Sequence, residues 1–566
     1  MGLLIAFRAL PGEAALRTRM ITARYRSAMT GWPCSLPRVT GLLALASASV
    51  ISVISVISVF GAGHAAAAPL ASQPSDASSW TVYHHDLAGT GVAEPVTAVD
   101  TSTRAWTSPT VDGEIYGEPL VSSGRVYVAT ENDTVYALSS ATGRVVWATH
   151  VGTPVPAQSL PCGDIGPTVG ITGTPVIDQS RGEIFAVADE LARGKPAHML
   201  VGLAMAAGRI EMTQDVDPAG ADTAALLQRT GLTLDAGQVV FGFGGNDGDC
   251  ASYRGRLEAV PETGGRPVVF TVDAAAGQSQ GAIWMGGAAP AVDSSGHLLV
   301  SVGNGSVRSD ARAYDDSDSV LDLSPGLRLL QFFAPSTWAS DNSQDLDMST
   351  EPVPLSDGQL MLAGKSGIVY LLDSARLGGI GGQLATLRSA CSDDIDGGSA
   401  VAGTTVYLPC LSGVIAVLAV KAPAALHLLW SSGTGGGPPI MAAGLVWTIA
   451  RDTLYGLSPA TGRVRQQASI GGLANHFPTP SVGDGLLLVP TADQVVAFTA
   501  TARGSSTTSP AAPPGTAAAT HPANRPKAAD GAATSPGAIA GIVVGAIVVL
   551  GGTGWFLWRR RVRGTS

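Results

Sequence analysis

Residues 124–147 read GRVYVATENDTVYALSSATGRVVW, and this stretch decides the fold. Apolar residues alternate along 125–129 and again along 134–138, with a short polar turn between the two runs. Such alternation predicts β-strands, and two strands joined by a short turn predict a β-hairpin. The turn Ala141–Gly143 then leads into a further strand that ends near Trp147. The stretch therefore predicts a small antiparallel sheet.

The same pattern returns at residues 444–464, which read GLVWTIARDTLYGLSPATGRV. Weaker hairpins begin near residues 174, 239, 297, 359, 405 and 486. With the two clear copies this gives eight units between about Trp80 and Ala500. Repeats of roughly 50 residues made of short strands are typical of a β-propeller.

We therefore predict an all-β fold, an eight-bladed β-propeller of four-stranded antiparallel blades over residues 78–500. One blade cannot bury both of its faces alone, so the blades must form a closed ring. The segment Ala105–Thr107 is expected to complete the last blade and close the ring. A single α/β domain is disfavoured because no amphipathic helical pattern separates the strands.

The composition agrees with many short strands joined by glycine-containing turns. The chain holds 71 glycines, and only 14% of its residues are charged. Its net charge of −10 argues against a nucleic-acid partner, because no basic stripe is available to neutralise phosphates.

The N-terminus has the order of a secretory signal, which we predict as a leader over residues 1–68. An arginine-rich stretch, Arg8–Arg38, precedes an apolar run, Gly41–Phe60, and then small residues up to Ala68. Cleavage is expected after Ala68. The alternative is an uncleaved anchor, because the apolar run is long enough to span a bilayer.

The C-terminus predicts a membrane anchor. Residues 501–536 are rich in Ser, Thr, Ala and Pro and predict a disordered stalk. Residues 537–558 predict one transmembrane helix, since Ala538–Trp558 carries no charge. The basic tail, 559–566, is expected in the cytoplasm by the positive-inside rule. These features predict a single-pass cell-membrane protein whose propeller is extracellular.

Four cysteines lie beyond the predicted leader, and three pairings of them are possible. We favour Cys391 with Cys410, which are closest in sequence, and then Cys162 with Cys250. A metal site is less favoured because no Cys-x-x-Cys spacing is present.

Residues 136–147 carry the pattern Tyr-Ala-Leu-x-x-Ala-Thr-Gly-x-Val-x-Trp, and Trp80 with His85–Asp86 precedes it as a lead-in. Here the chain resembles the pyrroloquinoline-quinone (PQQ) repeat propellers, over nearly the whole of residues 78–500. Many propellers of this kind, including outer-membrane assembly scaffolds, have no quinone. The dehydrogenase members hold PQQ over a calcium ion in the central channel.

The resemblance implies four site residues. Asn304, in Gly303–Gly305, is similar to a calcium ligand, and Asp345, in Gln344–Asp347, is similar to the catalytic base. Lys365 is similar to the cationic contact of the quinone oxygens. Trp284 lies near the position of the stacking tryptophan, although out of register with it. An oxygen-rich site suits Ca²⁺, a carboxylate can accept the alcohol proton, and a cation can polarise the quinone.

The chain departs from the family at the acidic calcium ligand, which precedes an Arg-Gly pair. Cys250 stands at that place ahead of Arg254–Gly255, and a disulfide sulfur cannot replace a carboxylate on a hard cation. Asp249 is the nearest acid. The family's ring of adjacent cysteines is absent from the sequence. Asn and Asp at these places also suit ordinary turns.

Other candidate sites are weaker. The acidic run Asp310–Asp318 could bind Ca²⁺, but it lacks EF-hand spacing, and a solvated loop is favoured. Asn246–Asp249 predicts a turn. Three histidines, His84, His85 and His476, show no metal-binding pattern and are taken as structural.

Our leading functional hypothesis is a non-catalytic cell-surface module without a cofactor. It would bind an extracellular protein, a glycan or a small molecule through the loops of one face or through the channel. The alternative is a divergent dehydrogenase of alcohols or sugars that depends on PQQ and Ca²⁺ and uses Asp345, Lys365 and Asn304.

Overall fold

The structure, a computed structural model, describes residues 79–93 and 95–502. In these residues the chain forms 36 β-strands, three 3₁₀ turns and one short α-helix. Eight sheets follow one another along the chain, and a further small sheet joins β6 (Val155–Pro156) to β7 (Thr168–Val169). The predicted all-β, eight-bladed propeller is confirmed.

The first four blades run in chain order, each from its first strand to its last. Blade 1 has β2 (Leu120–Ser122), β3 (Arg125–Ala129), β4 (Thr134–Ser139) and β5 (Val145–His150). Blade 2 has β8 (Val176–Asp178), β9 (Glu183–Ala192), β10 (Lys195–Ala204) and β11 (Ile210–Asp215). Blade 3 has β12 (Leu226–Leu227), β13 (Thr233–Asp235), β14 (Gln238–Gly245), β15 (Arg256–Pro261) and β16 (Val268–Thr271). Blade 4 has β17 (Ala291–Val292), β18 (Leu298–Val302), β19 (Ser319–Leu323), β20 (Leu329–Ala334) and β24 (Gly379–Ile380).

The last four blades follow in the same order. Blade 5 has β21 (Val353–Pro354), β22 (Gln359–Ala363), β23 (Val369–Asp373) and β25 (Ala385–Leu387). Blade 6 has β26 (Ala400–Ala402), β27 (Thr405–Leu408), β28 (Ile415–Val420) and β29 (Ala425–Ser431). Blade 7 has β30 (Ile440–Ala442), β31 (Leu445–Ala450), β32 (Thr453–Leu457) and β33 (Val464–Ser469). Blade 8 has β34 (Ser481–Gly483), β35 (Leu486–Pro490), β36 (Val495–Ala502) and β1 (Val96–Thr107).

The helical elements lie in the connections between strands. They are the 3₁₀ turns Ala157–Ser159, Thr223–Ala225 and Met285–Gly287 and the α-helix α1 (Trp338–Asn342). Two blades differ from the four-stranded expectation. In blade 3 the first strand is divided into β12 and β13, and in blade 4 the strand β24 adds to the edge in parallel.

The ring is closed by the strand that comes first in sequence. β1 pairs antiparallel with β36, with Trp106 opposite Ala497 and Thr107 opposite Val496. The predicted closure by Ala105–Thr107 is therefore confirmed. Blade 8 is built from both ends of the propeller, so the last edge strand is paired.

Neighbouring blades are joined by a tryptophan that contacts a glycine turn. Trp106, on the last strand of blade 8, donates its indole N–H to the carbonyl of Ser140 in blade 1 at 2.7 Å. Gly143 follows in that turn with φ of 68°, and a Cβ there would lie 2.5 Å from the Trp106 ring. Glycine is needed both for the left-handed conformation and for the space. The pairs Trp147–Gly208 and Trp430–Gly462 repeat this contact between blades 1 and 2 and between blades 6 and 7.

The N-terminal segment 80–93 ties distant blades together, and we call it the strap. Its backbone hydrogen bonds reach the first strands of blades 1, 2, 4, 6 and 7, at Val121, Ile177, Val292, Val401 and Met441. Trp80 and His84 of the strap are fully buried. The strap therefore reinforces the ring in addition to the pairing of β1 with β36.

Both favoured disulfides are present. Cys391 is bonded to Cys410, with Cα atoms 5.8 Å apart. Cys162 is bonded to Cys250, with Cα atoms 6.1 Å apart. The second bond ties the connection between β6 and β7 to the one between β14 and β15.

The prediction of a single-pass membrane protein is corrected. No helix within residues 79–93 and 95–502 is long and apolar enough to cross a membrane. Three predicted segments lie outside the described residues, namely the leader 1–68, the anchor Ala538–Trp558 and the tail 559–566. The predicted stalk also lies outside them, apart from residues 501–502, which belong to β36. The cell-membrane localisation with an extracellular propeller is not retained.

Substitution of Gly143 by alanine tests the contact between blades. Gly124, in the same blade, also has a positive φ, of 76°, but a Cβ there meets nothing within 4 Å. Gly124→Ala should cost about 1 kcal/mol of unfolding free energy through backbone strain alone. Gly143→Ala should cost about 1–3 kcal/mol more because Trp106 must move. Equal losses in denaturant titrations of the two variants would show that the tryptophan contact contributes nothing.

Candidate functional site

The predicted site residues lie in two classes of connection. Asn304 and Lys365 follow the second strands of blades 4 and 5, whereas Trp284 and Asp345 precede the first strands of those blades. Strands alternate in direction within an antiparallel blade, so these two classes of connection emerge on the same face of the ring. The topology therefore places all four residues on one face.

Lys365 is bound by two carboxylates. Its Nζ lies 2.5 Å from Oδ2 of Asp347 and 3.1 Å from Oδ1 of Asp345. Asp347 is buried, and Asp345 is exposed. Burial lowers the pKa of Lys365, but the attraction of Asp347 and Asp345 outweighs it and holds that pKa above its ordinary value.

Asp347 links this ion pair to Asn304. Its Oδ1 accepts the backbone N–H of Asn304 at 2.6 Å while its Oδ2 contacts Lys365. A Cβ on Gly303 would lie 2.6 Å from that Oδ1, so the close approach requires glycine there. The structure thus brings Asn304, Asp345 and Lys365 together. The residue that joins them is Asp347, which the sequence marks only as the last residue of the motif Gln344–Asp347.

Trp284 lies against the same lysine. Nζ of Lys365 is 5.2 Å from the centre of the Trp284 ring, a cation–π distance. The ring of Phe477 lies 5.8 Å from that of Trp284, between centroids, at an angle of 53°. Both aromatic side chains are half-buried. They offer an apolar surface beside the polar cluster.

Asp249 approaches this cluster from blade 3. Its carboxylate accepts the hydroxyl of Tyr253 at 2.6 Å. Burial raises the pKa of Asp249, and the hydrogen bond from Tyr253 and the charge of Lys365 act against that rise. Cys250 cannot supply a carboxylate or a free thiolate at this place because its sulfur is bonded to Cys162.

These residues do not fit a calcium ion. Within the part of the chain that the structure describes, no group of three or more His, Cys, Asp or Glu side chains is arranged to hold a metal ion. The carboxylates of Asp345 and Asp347 are already ion-paired with the ammonium of Lys365. Asn304 and Asp249 alone are too few for Ca²⁺, which takes six to eight oxygens.

Comparisons with known proteins agree with the repeat pattern. A family model described as outer membrane protein assembly factor BamB, PQQ_2, matches residues 87–197. The predicted resemblance to PQQ-repeat propellers is confirmed. No curated protein matches the sequence.

Solved structures resemble this propeller in fold. A quinohemoprotein alcohol dehydrogenase from Pseudomonas putida HK5 has a TM-score of 0.58 at 14% identity, covering 80% of this chain and 82% of the other. A quinohemoprotein alcohol dehydrogenase from Comamonas testosteroni has a TM-score of 0.54 at 15% identity, covering 74% and 80%. A europium-containing methanol dehydrogenase has a TM-score of 0.54 at 14% identity, covering 75% and 99%. At such identities the likeness shows the fold alone.

This face also holds a second group of residues that no sequence motif marks. Arg229, between β12 and β13, is buried, and its guanidinium carbon lies 5.6 Å from the rings of both Phe477 and Tyr116. Tyr116 and Phe477 lie in connections that lead to first strands, as Trp284 does. We call the rings of Tyr116, Phe477 and Trp284 the aromatic row. The side chains of Arg229 and Lys365 lie beside it.

The weaker candidates have structural roles. The interpretation of Asp310–Asp318 as a solvated loop fails in part, because Asp315 and Asp318 are buried and Asp315 accepts the N–H of Val307. Residues 246–249 form the predicted turn. His84 is stacked on Tyr83, and His85 lies 4.8 Å from the ring of Trp80, between ring centres. Nδ1 of His476 lies 3.1 Å from Oδ2 of Asp164.

Asp396 makes the stability of this face depend on pH. It is buried near Lys365, and burial raises its pKa to about 7, with the attraction of Lys365 opposing the rise. The pKa of an aspartate in the unfolded chain is about 4. Because the pKa of Asp396 is higher in the folded protein, the unfolding free energy falls as the pH rises from the unfolded pKa to the folded one. Part of the fall in melting temperature between pH 4 and 8 should therefore come from the ionisation of Asp396. Asp396→Asn should remove that part.

The exposed Asp310→Asn serves as the matched control and should keep the wild-type slope. An unchanged slope in the Asp396→Asn protein would mean that Asp396 stays ionised throughout this range.

Proposed function

We propose that this propeller is a non-catalytic binding module for a small planar organic molecule, which stacks on the rings of Trp284 and Phe477. The observation that supports it is the half-buried pair of rings, 5.8 Å apart, on the face where connections from several blades meet. Pockets for small molecules combine aromatic walls with a few polar groups. Here the polar groups are Lys365 and its two carboxylates.

The proposal of a non-catalytic function rests on the partners of the polar groups. The carboxylate of Asp345, the residue similar to a catalytic base, lies in an ion pair with Lys365. The position similar to the acidic calcium ligand holds Cys250, which is part of a disulfide. This base and this cation neutralise each other, and the residues that the structure describes form no oxygen-rich metal site. We therefore favour binding over alcohol oxidation.

The second candidate function is a divergent dehydrogenase that uses PQQ and Ca²⁺. It is favoured by one observation, the convergence of Asn304, Asp345 and Lys365 through Asp347. In that case Lys365 would contact the quinone oxygens, and Asp345 would accept the proton of the substrate hydroxyl.

Substitution of Trp284 by leucine tests the binding proposal. Calorimetric titration with 2-naphthamide, a planar and uncharged probe, should show binding to the wild-type protein. Trp284→Leu should weaken it about 3- to 10-fold, since an aromatic contact contributes about 0.5–1.5 kcal/mol beyond its area. Leu429→Ala, an exposed apolar residue on the last strand of blade 6, should leave the affinity unchanged. Equal affinities of the wild type and Trp284→Leu would refute the proposed surface.

A dye-linked oxidation assay with alcohols and sugars separates the two functions. The binding proposal predicts no oxidation after incubation with PQQ and Ca²⁺. Turnover that requires both additions and that Asp345→Asn abolishes would establish the dehydrogenase instead. Lys195→Met, at an exposed lysine of blade 2, controls for loss of a surface charge.

A further inference from the structure

We propose that an acidic cleft between blades 8 and 1 binds an alkyl chain that ends in a guanidinium group. The cleft lies on the face that carries the aromatic row, but none of the three rings of that row lines it. This second site is therefore independent of the proposed binding of a planar molecule.

The residues that line the cleft carry charge of one sign. The cleft has a volume of about 360 Å³, and four of its lining residues are acidic while none is basic. The four acids are Asp112, Glu114, Glu131 and Asp493. A volume of this size admits one small organic group. The carboxylates select a group that carries a positive charge.

Backbone hydrogen bonds hold the walls of the cleft in place. Val111 donates its N–H to the carbonyl of Asp493 at 2.9 Å, which fixes the connection from β1 to β2 against the turn between β35 and β36. Glu131 donates its N–H to the carbonyl of Glu114 at 2.9 Å, which fixes the turn between β3 and β4 against the same connection. The acidic residues are thus positioned before a ligand binds, so little ordering is needed on binding.

Glu131 is a buried carboxylate with one unsatisfied oxygen. The residue is 1% exposed, and its Oε2 accepts the N–H of Gly170 at 2.7 Å. Its Oε1 has no hydrogen-bond donor among the described residues, since the nearby hydroxyl of Thr172 does not complete a bond to it. Burial raises the pKa of Glu131 to about 7. A cationic N–H donor from outside the chain would satisfy this oxygen and favour its ionised form.

Asp112 supplies a fixed negative charge. Its carboxylate accepts the hydroxyls of Thr130 at 3.0 Å and Thr134 at 2.6 Å and the amide N–H of Asn132 at 3.0 Å. Burial acts to raise the pKa of Asp112, but these hydrogen bonds outweigh it and hold that pKa below its ordinary value. Asp112 is therefore ionised at neutral pH.

No cation of the described residues neutralises the four acids. Within residues 79–93 and 95–502, no Lys, Arg or His nitrogen lies within 4.0 Å of any of their carboxylates. Arg229 attracts Glu131 only from beyond that distance. The negative charge of the cleft is available to a cation that this part of the chain does not supply.

A guanidinium fits these acceptors better than an ammonium does. The four acids come from three separate connections, and a guanidinium has five N–H donors in a flat fork, against three on an ammonium. It is also more weakly hydrated, so it enters a partly enclosed cleft more readily. Val111, Pro167 and Ala492 provide apolar walls for the methylene groups of the chain. An arginine side chain of a partner protein and a free alkylguanidine share this chemistry.

Butylguanidinium and butylurea test the cleft, because they have nearly the same shape and differ in charge. In calorimetric titrations at pH 8, above the pKa of Glu131, the wild-type protein should bind butylguanidinium at least about tenfold more tightly. Glu131→Gln should reduce this preference about 3- to 10-fold and leave the affinity for butylurea unchanged. Asp222→Asn, at an exposed acid on the same face, and Trp284→Leu should both keep the wild-type preference.

Glu114→Gln provides a second variant if Glu131→Gln does not fold, and it should reduce the preference about 2- to 5-fold. Equal wild-type affinities for the two probes would overturn the site. So would a preference that is unchanged in the folded Glu131→Gln protein or, in its place, in Glu114→Gln.

A capped arginine, N-acetylarginine N′-methylamide, separates the two sources of the guanidinium. Binding as tight as that of butylguanidinium would identify an arginine side chain of a protein as the ligand. Binding at least about tenfold weaker would identify a free alkylguanidine, because the capping amides would then clash with the cleft.

Discussion

Closure of the ring is the constraint on which the rest of this structure depends. Each blade is a small sheet with two apolar faces, and only its neighbours in the ring can cover them. An open row would leave an exposed face at each end and an unpaired edge. The pairing of β1 with β36 removes both problems, and residues from opposite ends of the chain then share one core, as Trp80, Val126 and Phe498 do.

The closed ring also creates the candidate site. Arg229 and Phe477 are 248 residues apart in sequence, yet they are in contact because the connections of blades 3 and 8 meet on one face. Close approach of these connections requires particular glycines. Gly303 admits the carboxylate of Asp347, and Gly287 admits the guanidinium of Arg229. The site is therefore a product of the whole ring rather than of one blade.

The sequence predicts the parts of the fold that repeat locally. Period-two alternation and the Ala-Thr-Gly turn gave the hairpins, and the need to close the ring gave the role of Ala105–Thr107. The parallel strand β24 has no such signal, because its two residues pair with a strand more than 40 residues earlier. Blade 3 is likewise divided at Arg229, which no periodicity marks.

The site was predictable only where a family motif marks it. Asn304, Asp345 and Lys365 were found by resemblance, and they do lie together, but the resemblance gave no hint that Lys365 neutralises two carboxylates. Arg229, Phe477 and Tyr116 belong to no motif. Their importance arises from contacts across the ring, and a single sequence holds no record of such contacts.

The most direct measurement is a crystal structure of the propeller with bound 2-naphthamide. We predict electron density for the naphthalene ring against Trp284 and Phe477. A ligand bound at another face of the propeller would contradict this prediction.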